Sequence, residues 1–87
     1  MTDIIIYTKP ETLEHKLELA ICYWDLPTTP QREIEPYESY IYFATKGFIR
    51  GKFVITDVED RTIEFESWEP LDKLISCKPF QGFKYFD

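Results

Sequence analysis

The 87 residues carry a formal net charge of -6, and that length suffices for one hydrophobic core but not for two. With 44% hydrophobic and 17% aromatic residues and no low-complexity run, the chain reads as one folded domain over residues 1–87. Its acidity excludes broad nonspecific affinity for nucleic acid, which comes mainly from phosphate neutralisation by Lys and Arg, so any such contact must be local.

The segment after Met1 is the short apolar run IIIY, with neither a basic region nor a long apolar stretch, so no export signal is expected. No segment has the length of a membrane span, and a cytoplasmic location follows as the expectation. Cys22 and Cys77 then read as reduced thiols, with one disulfide between them as the alternative.

Ile4, Ile5, Ile6 and Tyr7 form a β-branched run that Lys9-Pro10 stops, which predicts a buried strand. Pro10-Glu11 opens a helix, with Pro at an early position and a carboxylate where the helix dipole favours it. Beyond it the periodicity is ambiguous. Leu13, Leu17, Ile21 and Trp24 fall on a helical stripe, whereas Leu17, Leu19, Ile21 and Tyr23 alternate as a strand would. The reading adopted is a helix from Pro10 to about Lys16 and an extended segment to Trp24; a continuous helix to Tyr23 is the alternative.

Pro27, Pro30 and Pro36 make 26–36 a loop, and long loops often form a lid or wall of a site. Ser39 to Ala44 alternates, with Ile41 and Phe43 on one face and Tyr40 and Tyr42 on the other, before a turn at Thr45-Lys46-Gly47. Phe48 to Thr56 is the return strand, and Gly51 within it marks a bulge, a corner or a close approach. Asp57 to Arg61 reads as a turn, and Thr62 to Glu66 as a strand with Ile63 and Phe65 inward and Glu64 and Glu66 outward. Glu69 to Ile75 reads as one or two helical turns, and the four aromatics in 80–86 must dock on the core. The sum is an α+β fold: a small, mostly antiparallel β-barrel with one or two short helices.

Tyr40 to Ile55, YIYFATKGFIRGKFVI, followed by a short strand and the ending KPFQGFKYF, resembles the PUA-like superfamily of small pseudobarrels, which includes ASCH and EVE domains. The opening Ile4 to Leu13 with Lys9-Pro10-Glu11 is similar to the strand and short helix that begin many ASCH-like chains. The resemblance implies a cleft between barrel and first helix that relatives use for RNA, a modified base or a small nucleotide-like ligand. One departure is visible: Glu14 to Trp24 lacks the Gly-x-Lys-x-x-Glu-x-Arg element usual in ASCH-type chains.

Catalytic signals are thin. His15 is the sole histidine and reads as a solvated residue, and no metal-ligand cluster, CxxC, nucleophile elbow or phosphate loop is present. A Lys/Thr/Glu set such as some ASCH-like hydrolases employ could draw on Lys9 or Lys46, Thr8 or Thr45, and Glu38, but ordinary surface lysines account for these residues. No cofactor, metal or catalytic residue is therefore expected.

Aromatics give the better clue, since a base stacked on Trp, Tyr or Phe contributes about 1–3 kcal/mol. The main expectation is a binding module with Trp24, Tyr42 and Tyr85 lining a cleft and Lys9, Lys46 and Arg50 at its edge, receiving a nucleobase, a modified nucleotide or an RNA segment. Arg50 and Lys52 are expected to be exposed together on one strand face. A second expectation is an acidic interaction protein, of the kind borne by phages, whose carboxylates dock on a basic protein surface. The third is an ASCH-type nucleoside amidohydrolase, and enzymatic activity is not the favoured reading.

Overall fold

A computed structural model describes residues 2–86. In chain order the elements are β1 (Asp3–Tyr7), α1 (Pro10–Leu17), β2 (Cys22–Asp25), β3 (Tyr40–Thr45), β4 (Phe48–Glu59), β5 (Thr62–Ser76) and β6 (Phe83–Phe86). The strands form one mixed sheet in the order β2-β5-β4-β3-β1-β6, curled into a half-barrel. β1 runs parallel to β3, and every other pairing is antiparallel. The expected α+β, mostly antiparallel architecture is present, with one helix among the described residues.

β1 lies between β3 and β6 and is covered on both faces, which is why three successive isoleucines suit it. Ile4 and Ile6 face the concave core with Ile41, Phe43, Phe53 and Phe65, whereas Ile5 faces a second cluster with Ala44 and Ile49. Phe43 is the hub of the concave core. Its ring centroid stands 5.6 Å from Phe53, 5.5 Å from Phe65 and 5.6 Å from Trp24. Burying each such ring contributes about 1.5–3 kcal/mol.

α1 has eight residues, too few to persist alone, and Leu13 anchors it on the concave core. Pro10 occupies its first turn, Glu11 sits near its positive end, and His15 and Lys16 sit near its negative end. The helix stops at Leu17 because the chain must turn to seat Cys22 in the core, so the continuous-helix alternative fails. The Lys16 ammonium then donates to the Tyr23 carbonyl (2.8 Å), partly blocking the outer edge of β2.

The proline-rich segment joins the two edges of the sheet. Leu26 donates its N–H to the Arg61 carbonyl (2.8 Å) and Thr29 its hydroxyl to Asp60 (2.7 Å), at the β4–β5 turn. Farther along, Gln31 and Arg32 donate backbone N–H groups to the Tyr85 hydroxyl on β6. With Leu26 buried and Ile34 packed on the core, the loop closes the open side of the half-barrel.

Three local expectations are corrected. β4 continues to Glu59, so the turn comprises Asp60 and Arg61 rather than all of Asp57 to Arg61. Glu69 to Ile75 is strand, not helix: a bulge at Ser67, whose φ is 64°, bends β5 so that its second half pairs with Phe48 to Lys52. Pro70 is tolerated there because β2 pairs only with Thr62 to Phe65, leaving that half of β5 an edge.

Arg50 and Lys52 also fail to share a face. The pairs Ala44 with Ile49 and Phe43 with Gly51 leave Arg50 as an extra, bulged residue. It reaches the α1 side, whereas Lys52 lies on the opposite face over Tyr40 and Tyr42, at 4.2 and 5.8 Å from their ring centroids. Both side chains are half-buried, and Lys52 approaches Glu69 at 3.8 Å.

Candidate functional site

The β3–β4 turn is a tight two-residue loop with φ of 48° at Lys46 and 87° at Gly47, the paired positive values that suit hairpin twist. The Gly47 N–H donates to the Tyr7 hydroxyl, fastening the turn to β1. Between this turn and α1 lies a cleft of about 270 Å³. Leu13, Leu17 and Pro10 give it an apolar wall, and Thr45, Lys46 and Arg50 form the wall opposite. Glu14 contributes one carboxylate.

Arg50 is held in place by its Nε, which donates to the Thr45 carbonyl (3.1 Å) and hydroxyl (3.2 Å). Its guanidinium carbon lies 5.5 Å from the centroid of Phe48, a ring 39% exposed. The bulge thus delivers a fixed cation beside an accessible aromatic surface, an arrangement suited to an anion attached to a flat ring.

The six residues read from the sequence do not line one cleft. Lys46 and Arg50 meet in this one, and Lys9 is exposed beside Pro10 at the start of α1. Trp24 packs edge-on against Phe43 with the Lys16 ammonium 5.7 Å from its ring, so it belongs to the core margin. Tyr42 lies on the opposite face against Phe86 (4.6 Å). Tyr85 holds the proline-rich loop, with Arg32 stacked 4.6 Å above its ring. Among the residues missed were Leu17, which lines the cleft, and Phe48, which lies beside Arg50. Their signal was weak: the last apolar residue of the helix, and an aromatic immediately after the turn.

A second surface feature lies on the convex face. The register sets Asp25 beside Thr62, Tyr23 beside Glu64, Asp57 beside Glu64 and Glu59 beside Thr62. Because paired residues share a face, Asp25, Asp57, Glu59, Glu64 and Glu66 form one acidic field. Glu64 is fixed within it, accepting from the Thr56 hydroxyl (2.6 Å) and the Tyr23 hydroxyl (3.2 Å). That hydrogen bond and the adjacent charge raise the Tyr23 phenol above its usual range.

Burial raises the Cys22 thiol, an effect that Lys16 partly offsets, while its Sγ lies 3.2 Å from the Lys16 carbonyl. Cys22 and Cys77 are both free thiols. Among the described residues no group of three or more His, Cys, Asp or Glu is gathered to hold a metal. No helix there is long and apolar enough to cross a membrane. No family model, curated protein or solved structure matches the chain.

Proposed function

We propose that the protein is a small binding module of the PUA-like kind that receives a nucleotide or a short RNA segment in the cleft between α1 and the β3–β4 turn. The observation that carries this reading is the convergence of Lys46 and the pinned Arg50 on that cleft, beside the exposed Phe48 ring. The curled mixed sheet, with α1 anchored on its concave core by Leu13, supports this reading of the fold. In this reading Lys46 and Arg50 take the phosphate and Phe48 stacks on the base. Lys9 extends the basic edge.

Backbone amide chemical shifts recorded during titration with single-stranded RNA and with nucleoside monophosphates test the assignment. Saturable changes confined to 45–50 and to Leu13 and Leu17, weakened about tenfold by Arg50→Ala, are expected. Binding that persists unchanged in Arg50→Ala combined with Lys46→Ala would overturn it.

The acidic field favours a second reading, in which the convex face docks on a basic protein surface. Reversing Asp57 and Glu66 to Lys leaves the two bonds of Glu64 in place, and salt-sensitive binding of an oligolysine peptide should then be lost. Peptide binding indifferent to that reversal would count against the docking face.

A further inference from the structure

The segment 77–82 leaves β5 and crosses the convex face to reach β6 without sealing it. A groove of about 230 Å³ stays open there, floored by Ile5 and Ile49 and walled by Ile75, Phe80 and Phe86. Ile75 is 46% exposed, so apolar surface continues from the groove's wall to solvent.

The charge around this groove is opposite to that of the chain. Lys78 and Lys84 both line it, and among the described residues none that lines it is acidic, although the protein holds 16 carboxylate residues against 10 Lys and Arg. The Lys84 ammonium lies 4.7 Å from the Phe80 ring centroid, a cation held against one wall of the groove. Cys77 lines the same groove, half-buried and free.

We infer that this groove holds a small anionic amphiphile, a medium-chain carboxylate, with its hydrocarbon on Ile5, Ile49 and Phe80 and its head between Lys78 and Lys84. At about 230 Å³ the groove has room for a short hydrocarbon chain along its apolar floor. The groove shares no residue with the cleft beside α1, so the two sites are independent.

Cys77 provides the reporter. Alkylation by iodoacetamide, followed by mass spectrometry of the intact protein and its peptides, should label Cys77, with the fully buried Cys22 as internal control. Decanoate below its micelle-forming concentration is expected to protect Cys77 saturably, and affinity should fall about fourfold for each methylene removed. Decylamine, with the same chain and the opposite charge, should not protect.

Combining Lys78→Glu with Lys84→Glu should abolish protection by decanoate. If that variant does not fold, Lys84→Gln should weaken protection. Protection by decylamine equal to that by decanoate would overturn the anionic specificity, and absence of protection by decanoate would overturn the site.

Discussion

The indole of Trp68 occupies the space where a side chain at residue 51 would stand. A Cβ on Gly51 would lie 2.6 Å from Trp68 Cη2 and Cζ2 and 2.7 Å from the Glu69 carbonyl oxygen. The glycine is therefore required for space, and its φ is not in the left-handed region. Gly51→Ala should lower stability by about 1–3 kcal/mol in urea unfolding. Combined with Trp68→Ala it should cost less than the sum of the two, since only the carbonyl clash then persists; strict additivity would contradict this packing.

The Tyr85 hydroxyl accepts from the N–H groups of Gln31 (2.6 Å) and Arg32 (3.3 Å), which makes it a clasp for the proline-rich loop. Tyr85→Phe should cost about 0.5–1.5 kcal/mol. Amide exchange should accelerate at residues 31 and 32 while Phe43 and Phe53 stay protected. Unchanged exchange in the loop would show that the clasp is dispensable.

Phe43 touches three other aromatic rings at the centre of the concave core. Phe43→Ala should cost about 3–5 kcal/mol, a large fraction of the stability of a domain this size. Denaturant unfolding of this variant would show a lower midpoint with an unchanged slope.

The Glu35 carboxyl is raised above the usual range, first by its hydrogen bond to Glu38 and then by that neighbour's charge. A raised folded-state pKa favours the neutral form. Its stabilising contribution is complete below the ordinary Glu value of about 4.3 and is lost as pH rises through the folded value. At neutral pH the pair repels, so Glu35→Gln should melt above the wild type at pH 7, and the two should coincide below about pH 4. A melting difference independent of pH would dismiss this coupling.

Where a strand is covered on one face, the sequence announced it. Ile41 and Phe43 are buried while Tyr40 and Tyr42 are half-exposed, as their alternation requires. The alternation of Ile63 and Phe65 with Glu64 and Glu66 was equally readable. What escaped were departures from simple alternation. Gly51 signalled a bulge or close approach in Phe48 to Phe53, but not that Arg50 is the displaced residue, so simple alternation set the cation that reaches the cleft beside Lys52. Glu69 to Ile75 has Pro70 and mixed polarity, and only its distant pairing with β4 makes it extended. The cleft itself combines residues 10–17 with residues 45–50, a proximity set by the packing of the helix rather than by any short motif.

The position of β1 between β3 and β6 governs the route by which the chain folds. Ile4 must find Ile41, 37 positions along, and Tyr85, 81 positions along (41 minus 4 and 85 minus 4). Loop closure over such spans precedes any stabilising contact, so refolding should be slow for the protein's size. Until both partners arrive, Ile4, Ile5 and Ile6 present a sticky strand with two free edges, and intermolecular pairing competes with completion of the sheet. Refolding yield should therefore decline as protein concentration rises, even under conditions where the finished domain is stable.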